Sequence, residues 1–360
     1  MKKFAFIFHP HDIEFLADGF NDPGIKQKNP QLMKSTLKWF PPFQREKVTG
    51  IKSIFNGEEI EGLMILVTLI PDHMQDLEDK FALQKFIEAG RLAQELGASI
   101  IGLGAYAALY GRHGVDIASA LKIPVTTGNS YTVAVAPEVI LQVLKSSGKD
   151  PAKSCVTILG ATGVVGVYCL QALKDKLGKV NLLSSNYKRI KDFLAAKNHK
   201  AKIKPYELTD KPDYIAESDL VLVGNGKYAP LINISKLKKG TVIFDGTYPK
   251  SFKDQDYTLR NDILFIDGGA ILPPGKPDFH FSFGFPKSLA FPCMAETMIL
   301  TFEEMFESYS LGRSIDFTKA MTMDELAKKH GFKLAGFSFK GKVLDKPVPN
   351  VQYAWINSRL

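Results

Sequence analysis

The run Phe291-Pro292-Cys293-Met294-Ala295-Glu296 places a thiol where a helix can act on it. Proline suits the first position of a helix, because the N–H it lacks would have no partner there. Cys293 then falls in the first turn, where free backbone N–H groups and the positive end of the dipole favour a thiolate. A thiolate beside a reduced nicotinamide suits acyl transfer to sulfur followed by hydride delivery. The same position also suits a small buried apolar residue. Glu296, one turn on, could orient water or a proton, or could simply favour the helix N-terminus. Cys155, before a strand, and Cys169, inside an apolar helix, read as core.

A second cluster is built of glycine. Gly160-Ala161-Thr162-Gly163-Val164-Val165-Gly166 stands between a β-branched run and a helical one. The first glycine permits the tight turn, the second lets backbone approach a pyrophosphate, and the third lets the helix pack close to the sheet. The alternative is a tight strand-to-helix turn without a ligand. About 20 residues beyond the last glycine, an NAD site offers a carboxylate to the ribose hydroxyls. Here the chain has Ser184-Ser185-Asn186-Tyr187-Lys188-Arg189, with no carboxylate and two cations. That composition favours a 2′-phosphate, hence NADPH, unless Lys188 and Arg189 are only a solvated helix start. Other strands end in Gly224-Asn225-Gly226, Asp245-Gly246-Thr247 and Asp267-Gly268-Gly269. Ligands lie beyond such carboxyl ends, though each could equally be an ordinary turn.

Histidines offer acid–base chemistry without a motif to choose among them. His113 lies in the glycine-rich Tyr110-Gly111-Arg112-His113-Gly114, and His280 lies between two phenylalanines in a possible strand. His9 and His11 frame a proline with no third ligand nearby. There is no HExxH and no CxxC, so no metal site is expected.

The elements that must position these groups divide the 360 residues into three parts. Residues 1–150 read as an N-terminal α/β substrate domain, with strands over 62–70 and 99–103. A helix over 77–96 in that part has Leu77, Phe81, Ile87 and Leu92 on one face. Residues 151–284 alternate strands at 156–159, 180–183, 220–223, 241–244 and 263–266 with helices, a Rossmann-type, doubly wound parallel sheet. Residues 285–360 read as a C-terminal helical segment with an extended tail. Its helix begins at Pro292 and carries Met294, Met298, Phe302, Met305 and Phe306. Residues 154–173 carry no charge, but their glycines and β-branched start read as strand, turn and helix, not a membrane span. The N-terminal apolar run is too short for a secretory leader, and a cytoplasmic protein is expected. Three cysteines exclude a disulfide framework. The net charge is +8, yet the lysines are scattered and no nucleic-acid stripe is present.

Five segments together resemble the long-chain acyl-acyl-carrier-protein reductases best known from cyanobacteria. They are Gly102–Tyr106, Thr126–Thr132, Gly160–Gly166, Asp245–Lys250 and Cys293–Glu303, in that order, over roughly residues 60 to 335. The resemblance implies NADPH as cofactor, an acylated cysteine at Cys293 and a fatty aldehyde as product. It further implies an acyl carrier protein or coenzyme A thioester as partner. Thr126, Thr127, Gly128, Asn129 and Ser130, rich in hydroxyl and amide groups, would line the nicotinamide or acyl pocket, with His113 and Glu296 as further catalytic candidates. The first 60 residues, with Trp39-Phe40-Pro41-Pro42-Phe43, the tail from 341, and Thr247 in place of an expected glycine depart from that pattern. A cationic surface suits an acidic carrier protein and equally a peripheral contact with an anionic membrane. The partner that consumes the aldehyde stays open. Two other readings remain: a noncovalent NADP-dependent dehydrogenase of a small polar substrate, and a nonenzymatic NADP(H)-sensing protein.

Overall fold

The computed structural model describes residues 1–10, 30–76, 79–186, 188, 190–191, 194, 202–206, 213–247, 250–282, 285–314, 316–340 and 342–344. The strands are β1 (Lys2–Phe8), β2 (Phe43–Lys52), β3 (Glu59–Leu66), β4 (Ile100–Leu103), β5 (Val125–Thr126), β6 (Cys155–Leu159), β7 (Lys179–Leu183) and β8 (Lys202–Tyr206). They continue with β9 (Leu220–Val223), β10 (Val242–Asp245), β11 (Leu264–Ile266), β12 (Gly268–Leu272), β13 (Gly275–Asp278), β14 (Lys333–Phe339) and β15 (Lys342–Leu344). The longer helices are α1 (Pro30–Leu37), α2 (Asp79–Glu95), α3 (Asn129–Ser146), α4 (Val164–Leu173), α5 (Pro292–Phe302) and α6 (Phe317–His330).

The chain forms two compact α/β units, one of residues 1–132 with 271–335, the other of 133–270 with 336–360. These divisions differ from the boundaries expected near 150 and 284. Helix α3 carries the chain from one unit into the other. Residues 285–335 join the first unit because α5 covers one face of its sheet.

In the first unit the strand order is β13-β2-β3-β1-β4-β5. Strand β1 runs parallel to β3 and β4, β5 runs parallel to β4, and β2 is antiparallel to β3. Phe4–Phe8 and Leu63–Leu66 are buried on both sides of the sheet, which explains their unbroken apolar sequence. Helix α2 covers one face through Ala82, Phe86, Ala89, Gly90 and Ala93. The expected stripe is therefore corrected: Phe81, Ile87 and Leu92 are only partly buried, and Leu77 lies outside the described residues. The buried row at helical spacing consists of small residues around the single large ring of Phe86.

Helix α5 packs against β1, β3 and β4 and is buried at every position except Cys293. A Cβ on Gly102 would stand 2.1 Å from the Thr297 hydroxyl, so the glycine in β4 makes room for α5. The helix ends at Phe302, with Glu303 as its cap and Glu304 at φ 51°; Met305 and Phe306 therefore lie beyond it. His280 is not in a strand either, since β13 stops at Asp278. It has φ 60° and meets Thr49 Oγ1 at 3.1 Å on the exposed surface.

In the second unit the order β8-β7-β6-β9-β10-β11 is parallel throughout. Counted from β6, this is 3-2-1-4-5-6, the Rossmann arrangement. The chain moves outward from β6 to β8, then returns to β9 and moves outward the other way. The carboxyl ends of β6 and β9 thus flank the switch point, where such sheets bind ligands. Within this unit, residues 337–339 pair antiparallel with 342–344.

Candidate functional site

In the first unit, two helix N-termini meet just beyond β5. Gly128 precedes α3 at φ 72°, and a Cβ there would lie 2.2 Å from Cys293 Cα and 2.4 Å from Cys293 Cβ. Backbone therefore rests directly on the cysteine at the second position of α5. Glu296 joins the two helices. It is 0% exposed, and its Oε1 accepts the hydroxyls of Thr126 (2.5 Å) and Ser310 (2.8 Å). Its Oε2 accepts the Tyr131 N–H at 2.7 Å, in the open first turn of α3. Glu296 is thus a carboxylate cap supplied across the fold, and both oxygens are engaged in holding the Thr126–Tyr131 segment. Those bonds position the segment, and neither oxygen is left without a donor.

The thiol also departs from expectation. Although Cys293 as a whole residue is only partly buried, the desolvation of its surroundings pushes the pKa up to about 12, and the negative charge of Glu296 acts in the same direction. Its own N–H and that of Met294 favour the thiolate, but by less. The resting cysteine is consequently a neutral thiol at pH 7. Burial also raises Glu296 above the ordinary carboxyl value, against the lowering effect of its hydrogen bonds. Cys155 and Cys169 are likewise pushed up by burial, as core thiols are.

The hydroxyls of the expected substrate segment are already committed. Thr126 donates to Glu296, Thr127 donates to the Ser310 carbonyl at 2.5 Å, and Ser130 shares a 2.6 Å bond with Ser310. Gly128 is buried against Cys293 and Asn129 is half-buried beside it. Ser310, at φ 53°, is the residue the sequence did not suggest. It ties both helices to Glu296 from 14 positions downstream, with no motif to mark it.

His113 reaches this end of the sheet on a left-handed turn. Gly111, Arg112, His113 and Gly114 all have positive φ. Two of them are not glycine, at a cost of roughly 1–2 kcal/mol each. An Arg112–Asp116 ion pair and the Gly312 N–H donating to the His113 carbonyl hold the turn. A Cβ on Gly114 would stand 3.2 Å from the Thr127 methyl, while the His113 imidazole makes no hydrogen bond among the described residues. Burial and the charge of Arg313 hold the imidazole below its usual pKa.

The second unit carries the glycine turn. Gly160 has φ 87°, and a Cβ on it would meet Asn225 at 2.9 Å. A Cβ on Gly166 would meet Ala161 Cα at 2.7 Å. The Gly160 and Ala161 N–H groups donate to the Leu183 carbonyl, which anchors the turn to β7. Gly163 caps α4 without a side chain and no acidic residue occupies the first turn. The N–H groups of Val164, Val165 and Gly166 therefore have neither an intrahelical acceptor nor a local carboxylate, as a pyrophosphate cradle requires. Thr162 is bonded to Ser184 (2.6 Å), and the Asn186 N–H donates to Ser184 Oγ. Lys188 is exposed, and Arg189 lies outside the described residues.

Gly224 and Asn225 follow β9, beside the glycine turn, and the Asn225 amide oxygen accepts the Lys227 N–H. Asp245 is engaged by its own loop. Its oxygens accept from Thr247 and the Ser251 N–H, organising the loop after β10, while Gly246 is exposed. Lys250, on that loop, donates to the Asp245 carbonyl. Among the described residues, no helix is long and apolar enough to cross a membrane, and no three His, Cys, Asp or Glu side chains form a metal-binding group.

No family model matches the chain. It is 26% identical over 359 residues to Aminotransferase PigE of Serratia sp. (strain ATCC 39006), covering 96% of this chain and 41% of that protein. The chain thus spans less than half the length of that relative. It is 28% identical over 309 residues to the long-chain acyl-[acyl-carrier-protein] reductase of Synechococcus elongatus, covering 81% of this chain and 87% of that one. Among solved structures, L-tryptophan dehydrogenase from Nostoc punctiforme shares 12% identity at a TM-score of 0.38, over 99% of this chain and 87% of that one. The 5-ketofructose reductase of a Gluconobacter species shares 13% at 0.34, over 90% and 98%. These structural likenesses are too remote to carry an argument, and the Rossmann assignment rests on the strand order itself.

Proposed function

We propose that the protein is an NADPH-dependent reductase that converts a fatty acyl thioester, carried by acyl carrier protein or coenzyme A, to a fatty aldehyde. The seating of Gly128 on Cys293, between two helix N-termini, is the observation that carries this reading. A cysteine fixed this tightly, at the carboxyl edge of an α/β sheet, has backbone N–H groups around it that need not reorganise when an oxyanion forms. The distant likeness to the Synechococcus reductase supports the same chemistry.

Cys293 attacks the thioester carbonyl, a new S–C bond forms and the carrier thiol leaves with the cysteine proton. Because the resting thiol is neutral, that proton must be taken up as the bond forms. We assign that uptake to His113, whose turn lies by Thr127 and whose imidazole burial and Arg313 hold below its usual pKa. Bound NADPH would supply the hydride to the thioacyl carbonyl carbon. The C–S bond then breaks, giving aldehyde and free Cys293. Glu296 holds the Thr126–Tyr131 segment in place throughout and touches no reacting atom. Residues Gly160–Gly166 with Ser184, Ser185 and Asn186 would hold the dinucleotide. An aldehyde is also the class of acceptor that an aminotransferase takes. The Serratia relative bears that name and is longer than this chain, which supports amination as one fate of the product.

The test is stoichiometry. Purified protein given a long-chain acyl thioester and NADPH should release one aldehyde per NADPH consumed, and Cys293→Ala should lower that rate by at least 100-fold, on the order expected for loss of a nucleophile. Near-wild-type turnover by Cys293→Ala would instead favour noncovalent reduction of a small polar substrate.

A further inference from the structure

We infer that Lys227, from the end of β9, completes a phosphomonoester subsite with the residues after β7 and decides between a 2′-phosphorylated and an unphosphorylated dinucleotide. The inference rests on the reading of the second unit as a dinucleotide site, and it names a residue from outside the segment where ribose recognition is normally sought. The Lys227 Nζ lies 3.3 Å from Ser185 Oγ, across 42 positions of sequence. Its backbone is fixed by the Asn225 side chain at 3.1 Å, and its ammonium stands 4.9 Å over the Tyr228 ring. Tyr228 is buried, and its hydroxyl accepts the Ser185 N–H at 2.9 Å. Ser185 is therefore held from both its backbone and its side chain by the loop after β9.

Charge explains what this arrangement selects. Where an NAD site has a carboxylate after the second strand, this chain has Ser184 and Ser185. Lys227 and Lys188 are exposed and enter no ion pair among the described residues, and of the two it is Lys227 whose ammonium is directed at Ser185. An ammonium without a carboxylate, one hydrogen bond from a hydroxyl at the ribose end, is suited to a phosphate dianion. Ser184 joins the same loop to the glycine turn through Thr162, so the subsite and the pyrophosphate cradle are one continuous structure.

The experiment is calorimetric titration of the full chain and of Lys227→Ala with NADP+, NAD+, 2′,5′-ADP and 5′-AMP. Wild-type protein should bind NADP+ more tightly than NAD+, and 2′,5′-ADP more tightly than 5′-AMP. Lys227→Ala should weaken the two 2′-phosphorylated ligands by about tenfold or more, the range for a lost charged hydrogen bond. NAD+ and 5′-AMP should change by less than about twofold, and Lys227→Arg should restore the preference. An unchanged preference in Lys227→Ala overturns the role of Lys227 and leaves the cofactor reading standing. A wild-type preference for NAD+ overturns it too. Binding of neither dinucleotide by wild-type protein overturns the cofactor reading itself.

Discussion

At the scale of single residues, Cys293 is governed by two opposed influences. The helix start favours its thiolate, as its position after Pro292 suggests. Burial and the Glu296 charge outweigh that and push the pKa up to about 12. A raised pKa means that the reactive form grows with pH until that value is reached. Alkylation of Cys293 by iodoacetamide should therefore accelerate about tenfold per pH unit between pH 7 and 10, with no plateau near neutrality. A plateau beginning below pH 8 would show a stabilised thiolate and contradict this account. Replacing Glu296 by Gln removes the nearby charge and should speed alkylation at pH 8. The amide also leaves one acceptor oxygen where Thr126, Ser310 and Tyr131 donate to two, and the lost bonding costs about 1–3 kcal/mol, visible as a lower midpoint in thermal unfolding. Unchanged alkylation and unchanged unfolding together would remove Glu296 from its bridging role.

Among the elements, the site depends on how closely helices and backbone approach one another. Ala in place of Gly128 would need φ 72° and would put a methyl against the backbone of Cys293. We expect Gly128→Ala to cost about 1–3 kcal/mol and to abolish acyl transfer while leaving NADP+ affinity intact, because the dinucleotide residues belong to the other unit. Wild-type acyl transfer by this variant would refute the close seating. Local patterns were legible in the sequence. The strand Leu220–Val223, the glycine turn before Val164 and the helix beginning at Pro292 stand where residue type places them. What sequence could not supply was partnership across the fold. The α2 face is set by Ala82, Phe86, Ala89 and Ala93, whereas hydropathy points to Phe81 and Leu92. The C-terminus of α5 is set near Glu303, which accepts from Lys329 and His330 26 and 27 positions away. The hydroxyls of Thr126, Thr127 and Ser130 look like ligands in one dimension, but Ser310 and Glu296 take them up in three.

For the whole molecule, the sequence reads as three parts, two α/β and a C-terminal helical segment, whereas the structure forms two units, and the discontinuity of the first was hidden. Its cysteine-bearing helix comes from a stretch more than 130 residues beyond Gly128, and only the packing of α5 on β1 and β4 reveals that they belong together. This division separates the proposed reaction into two halves, acyl capture by the first unit and dinucleotide binding by the second. The measurement that tests it most directly is intact mass of the full chain after incubation with a long-chain acyl-coenzyme A or acyl carrier protein, first without and then with NADPH. We predict a single acyl adduct without NADPH, absent in Cys293→Ala and discharged as aldehyde when NADPH is added. An unmodified mass from protein that still binds NADPH, or an adduct that persists in Cys293→Ala, would contradict Cys293 as the acyl-accepting residue.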